Sequence, residues 1–234
     1  MASIALGVLA FGDSITNGGG ELQWGVALQS WALWVARATG LPYSAYAVDR
    51  AHVHDVLAEQ IPAFVQRATP GARYDLGCLY IGVNDVRSVD WDPARFERDY
   101  REALTFVLTR CDRVLTATAP LDLGRPRAGA KVSQLNTIVV SVAGEVGALV
   151  VDLTDFGGRN RVMADRVHPT AFGQIAIAQR ALRVLSADGM TVRVDPTSLI
   201  RYETTRLERL RWDSTYAYRA TKTAVRSAWV KARA

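Results

Sequence analysis

The 234-residue sequence has only two cysteines and three histidines, and nowhere a long uninterrupted apolar run. Cys78 and Cys111 each sit in or beside an apolar segment, with no spacing that would frame a disulfide or a metal site, so they read as free buried thiols. The absence of about 18 consecutive apolar residues leaves no transmembrane helix to expect. The start, Met1-Ala2-Ser3-Ile4, lacks the basic stretch of a secretory signal. Its apolar run leads directly into Gly12-Asp13-Ser14 and reads as a strand, and the expected location is cytoplasmic. No internal repeat and no low-complexity segment interrupts the chain. The net charge of +5 is unevenly placed: residues 189–234 hold ten Lys/Arg against four Asp/Glu, so the remainder is nearly neutral. The basicity therefore belongs to the tail and does not mark the whole protein as a nucleic-acid binder.

What is present is an alternation of short apolar runs with helical stretches. Runs at 4–11, 43–48, 74–81, 114–119 and 149–153 read as strands, each ending near Gly, Pro or Asp. Between and after them, 29–39, 53–68, 92–110, 128–147 and 170–186 read as helices, the second expected to bend at Pro62 and the third to open on Asp92-Pro93. This order predicts an α/β fold with a parallel sheet covered on both faces. The expected organisation is one domain over 1–188 and a basic helical extension over 189–234. In the extension, 192–196 is a candidate edge strand, and 198–212 and 216–230 are candidate basic amphipathic helices. Packing on the body or a homodimer arm is the leading expectation for this tail, ahead of peripheral contact with an anionic membrane; nucleic acid comes last.

In parallel sheets ligands collect outside the carboxyl ends of the strands. Ser14 follows the first strand, Asp49 and Arg50 the second, and Asn84 and Asp85 the third. His168 stands in Asp165-Arg166-Val167-His168-Pro169, with a carboxylate three residues before it. A serine and histidine with an orienting carboxylate suit nucleophilic catalysis. Each motif alone also has an ordinary structural reading: Ser14 as a helix cap, Asn84 as a turn residue, Asp165 and His168 as caps before a helix. Their joint occurrence, in this order, favours the catalytic reading.

Together, Gly12-Asp13-Ser14, Gly82-Val83-Asn84-Asp85 and Asp165-Arg166-Val167-His168 resemble three of the four blocks of the bacterial GDSL esterases, also called SGNH hydrolases. The resemblance spans roughly residues 4–188. It implies a flavodoxin-like three-layer α/β/α sandwich and a serine hydrolase that cleaves a carboxylic ester of a small molecule or lipid. It implies Ser14 as nucleophile, His168 as base, Asp165 as its orienter, and an oxyanion hole from the Ser14 and Arg50 backbone N–H groups and the Asn84 amide. No metal and no organic cofactor is expected. The G-x-S-x-G elbow of the α/β-hydrolases is absent. One block departs from the family: Arg50 falls where a glycine is usual. Arg50 would bind an anionic group on the substrate, or turn outward to pair with Asp49 or Asp55. An acyltransferase acting on a sugar or lipid alcohol with the same triad is the alternative function, and a catalytically inactive binding module the second. His52 and His54, two residues apart, do not share a helix face and suggest no metal site. Trp24, Trp31 and Trp34 read first as core and second as an acyl pocket. Residues 121–129, rich in Pro and Gly, read as a mobile loop near the site.

Overall fold

The apolar runs become five parallel strands in a computed structural model that describes residues 6–201 and 204–233. They are β1 (Val8–Gly12), β2 (Tyr43–Ala45), β3 (Tyr74–Tyr80), β4 (Cys111–Ala117) and β5 (Leu149–Val151), in the order β2-β1-β3-β4-β5. This is the flavodoxin-like order, whose switch point lies between β1 and β3. Every residue of β1 is buried, because helices cover both faces of the sheet. Residues Ile4 and Ala5 of the expected first strand lie outside the described residues.

Two helical layers enclose the sheet. Helix α1 (Trp31–Thr39) packs on α6 (Ala171–Ala187), and α4 (Pro93–Arg110) packs on α5 (Lys131–Val146). Local sequence sets their ends. Ser30, Asp92 and Thr170 accept first-turn backbone N–H groups of α1, α4 and α6, with Pro93 opening α4 where no N–H is required. The expected helix over 53–68 is in fact three pieces: α2 (Val53–Asp55), a π-helical stretch (Val56–Gln60) and α3 (Ile61–Arg67). Pro62 has no N–H to give, and the turn ahead of it is widened, closed by Ile61 N–H to the Val56 carbonyl.

The tail differs from expectation in two places. No edge strand forms over 192–196; the Arg193 and Val194 N–H groups both donate to the Ala38 carbonyl at the end of α1, and a 3-10 turn (Pro196–Leu199) follows. The two expected tail helices are one, α7 (Arg206–Arg233). A reciprocal cap between Thr205 and Glu208 starts it late, and no Gly or Pro lies inside it to break it. Met190, Val192 and Ile200 pack against the same core as the body. Among the described residues, no helix is long and apolar enough to cross a membrane.

Candidate active site

Ser14 lies two residues beyond β1, in a turn that folds back at once: the Asn17 N–H reaches the Asp13 carbonyl and the Gly19 N–H the Ser14 carbonyl. Gly12 is required for this exit. Its φ is +148°, and a Cβ there would stand 2.4 Å from the Tyr80 carbonyl oxygen. Two buried glutamines then fix the turn. Gln60, from the π stretch, accepts the Gly12 N–H at 3.0 Å and donates to the Gly12 carbonyl at 2.8 Å. Gln174, on α6, donates to the Ile15 and Gly19 carbonyls at 2.9 and 3.1 Å while accepting the Trp31 N–H at 2.8 Å. Neither glutamine was marked by sequence reasoning; the available signal was a Gln on the core-facing side of an apolar helix.

The turn presents the Ser14 hydroxyl 3.0 Å from His168 Nε2. His168 Nδ1 is 2.7 Å from Asp165 Oδ2, and Asp165 Oδ1 accepts the backbone N–H groups of Val167 and His168 at 2.9 and 3.1 Å. Asp165 does not cap the following helix, which Thr170 caps; the two N–H groups it accepts lie in the loop before α6, and its other oxygen meets the His168 ring. Burial alone would raise the Asp165 pKa, but the His168 ring and the two backbone donors outweigh it and hold the group below the usual range. The same hydrogen bond raises His168 above 6.5 against the opposing effect of burial. Beside them Asp13 is fully buried. It accepts the Ile15 N–H through Oδ1, while Oδ2 has no partner among the described residues. Burial lifts Asp13 to about 7, moderated by the Ile15 N–H and the nearby His168.

A second set of groups faces outward from the strand ends. Asn84 donates through Nδ2 to the Ala51 carbonyl at 3.0 Å, and this engages one of its two amide hydrogens. Asp85 accepts the Val53 N–H with both oxygens, at 3.1 and 3.3 Å. The Asn84-Asp85 pair therefore grips the Arg50 segment on both sides of His52. Arg50 itself adopts φ +66°, the left-handed region natural to glycine. Its backbone N–H, like that of Ser14, donates to no group among the described residues. The Arg50 side chain is exposed and pairs with neither expected carboxylate: Asp49 is bonded by Asn17 and Asp55 by His52. With Asn84, the Ser14 and Arg50 N–H groups are donors free to receive an anion.

The other sequence candidates take structural places. His52 and Asp55 form the reciprocal cap of α2. Trp31 and Trp34 are core, Trp31 donating to Thr16 Oγ1 behind the Ser14 turn, while Trp24 packs on Phe172. The segment expected to be mobile is tethered: Asp122 pairs with Arg125, Arg127 and Arg166, and the Gly124 N–H donates to the Arg166 carbonyl. Cys78 and Cys111 are buried free thiols on β3 and β4, and burial pushes both up in pKa.

Comparison with known proteins adds the following. Residues 10–176 match the GDSL-like lipase/acylhydrolase family. No curated protein matches the chain. Among solved structures, a member of the lipolytic protein G-D-S-L family from Veillonella parvula superimposes with a TM-score of 0.62 at 21% identity, covering 78% of this chain and 99% of that one. The acetylxylan esterase Axe2 from Geobacillus stearothermophilus gives 0.58 at 20% identity, covering 78% and 96%. LAE5, an α/β hydrolase from the metagenome of Lake Arreo in Spain, gives 0.60 at 21% identity, covering 80% and 97%.

Proposed function

The chain belongs to the GDSL-like lipase/acylhydrolase family and is a carboxylic ester hydrolase; from that premise we propose that it works through an acyl-enzyme on Ser14, with His168 as general base and Asp165 as the group that orients it. The carrying observation is the relay itself, Ser14 Oγ to His168 Nε2 at 3.0 Å and His168 Nδ1 to Asp165 at 2.7 Å. In this reading Ser14 Oγ attacks the ester carbonyl carbon as its proton passes to His168 Nε2. The oxyanion sits on the Ser14 and Arg50 N–H groups and the free hydrogen of Asn84. His168 then gives the proton to the departing alcohol oxygen. A water attacks the acyl-enzyme, His168 takes its proton, and the acid leaves as that proton returns to Ser14. Asp165 stays ionised throughout, fixing the tautomer that leaves Nε2 as acceptor. Support also comes from Axe2, whose catalytic mutants replace a serine, an aspartate and, three residues further on, a histidine.

The test is turnover of p-nitrophenyl esters of increasing acyl length beside Ser14→Ala and His168→Ala. Hydrolysis of at least one ester, lost in both variants while both remain folded, is expected. Absence of turnover at every length, or turnover retained in Ser14→Ala, overturns it. Covalent labelling of Ser14 by a fluorophosphonate excludes an inactive binding module. Products analysed with and without an added alcohol separate hydrolysis from acyl transfer to a sugar or lipid alcohol.

A further inference from the structure

Helix α7 has two unlike faces. One is fastened to the body: Arg219 pairs with Glu21 at 2.7 Å, Asp213 with Arg159 at 2.9 Å, Arg159 lies over the Tyr216 ring, and Arg209 lies over Trp24. These residues, 209, 213, 216 and 219, recur at helical spacing. The opposite stripe carries Leu207, Leu210, Tyr218 and Val225, each between 52% and 66% exposed, and none of them is packed on the core. Hydrophobic residues scattered singly over a surface are ordinary, but four aligned on one face of one helix are not.

The surroundings of that stripe decide what fits it. Arg206, Arg211, Lys222 and Arg226 flank it, all exposed and none in an ion pair among the described residues. The helix has two carboxylates to oppose them: Asp213 pairs with Arg159, and Glu208 bonds the Thr205 N–H and hydroxyl, with Arg211 acting on it only from beyond ion-pair distance. An apolar stripe bordered by unpaired cations complements a surface that is anionic outside and apolar beneath. We propose that α7 docks this protein, by its outward face, onto an anionic lipid bilayer surface, lying flat in the interface. The charge argues against a second copy of the chain as occupant, since two such faces would bring like-charged borders together. A nucleic acid would use the cations and leave the leucines without a role. The docked helix would hold Ser14 and His168 at a fixed relation to the surface. The body loops it grips include Glu21, which bridges to Thr170, two residues past His168. The proposal does not depend on the chemistry assigned to Ser14.

The experiment is co-sedimentation of the full chain with vesicles of phosphatidylglycerol and phosphatidylcholine in equal parts, beside vesicles of phosphatidylcholine alone. Binding to the first and not the second is expected. It should weaken as salt rises from about 0.1 M to about 1 M, where the screening length falls from about 10 Å to about 3 Å. The double variant Leu210→Glu/Val225→Glu should lose binding by at least about tenfold, because it removes two apolar side chains that docking would bury and adds two repelled charges. Its hydrolysis of a soluble ester and its melting temperature should match the parent, since both side chains are more than half exposed. No binding to anionic vesicles overturns the proposal, as does binding that the double variant retains. Dimers that the double variant dissociates would give the face to a second copy. Equal affinity of parent and double variant for duplex DNA, with no vesicle binding, would give it to nucleic acid.

Discussion

Replacing Asn84 by alanine separates what this side chain does for the reaction from what it does for the fold. Its Nδ2 holds the Ala51 carbonyl with one hydrogen and leaves the other free. The free hydrogen, if it receives the oxyanion, acts on the transition state and not on the bound ester. Loss of such a donor lowers kcat by about 10²- to 10³-fold, or about 2.7–4 kcal/mol. KM should change little, because the donor is aimed at charge that has yet to develop. The engaged hydrogen contributes separately to stability. A partly buried amide–carbonyl bond contributes on the order of 1 kcal/mol, and in a chain of this size that lowers Tm by about 2–4 °C. The assay is steady-state hydrolysis of an activated ester, with thermal melts of parent and Asn84→Ala. Asn84→Asp accompanies it as a near-isosteric control: it substitutes a negative charge for the donor and should be at least as inactive. A kcat within about fivefold of the parent, with KM unchanged, would remove Asn84 from the oxyanion site, since even one weak donor should contribute more than that. A kcat loss matched by a fall in Tm of some 10 °C or more would instead assign the residue to the architecture of the Arg50 segment.

Four further outcomes follow from the geometry. The base must be neutral to accept the Ser14 proton, so the acid limb of the kcat/KM profile should have its midpoint above the ordinary 6.5 of histidine; Asp165→Asn should move it down and lower kcat by about 10⁴-fold. The same pair links folding to pH. The raised His168 stabilises fully below its unfolded value and loses this as pH climbs through its folded one, while the depressed Asp165 stabilises above its unfolded value and loses this as pH falls; His168→Ala should therefore lower Tm more at pH 5–6 than at pH 9, and an equal loss at both would refute the linkage. Asp13 is raised to about 7, so the folded state becomes less stable between the unfolded carboxylate value and about 7; Asp13→Asn, which keeps the Ile15 bond, should raise Tm above pH 7 and have little effect near pH 4. Arg50→Gly keeps the backbone N–H and suits φ +66°, so kcat should stay within about tenfold of the parent, whereas loss of the donor would exceed that; a larger drop would mean that the guanidinium itself takes part.

The relay was legible because its members declare themselves locally. Gly12-Asp13-Ser14 and Asp165 to His168 are short motifs, each at a strand end or a helix start, and the parallel order follows from strands alternating with helices. The residues that hold the relay in place were not legible. Gln60 meets Gly12 across 48 positions and Gln174 meets Ile15 across 159, and no periodicity in the chain announces either contact. The π stretch escaped notice because its composition is that of an α-helix, and only its neighbours demand the wider turn. In the tail, helical character was plain, but its continuity depended on the absence of a breaker between 212 and 216, a weaker signal than two separate apolar clusters.

Gln60 acts on Gly12 as a neighbouring strand would, supplying a donor and an acceptor side by side from a single side chain. Its aim depends on the turn of five residues that carries it. Deleting one residue from Val56–Gln60 would restore a regular α-helix and, by local criteria, improve the segment. It would also leave Pro62 in a turn of ordinary width, where its ring meets the carbonyl four residues before it. The wide turn is where the helix takes up one residue more than its regular pitch allows. It lets a proline stand two residues past the side chain that braces the end of β1.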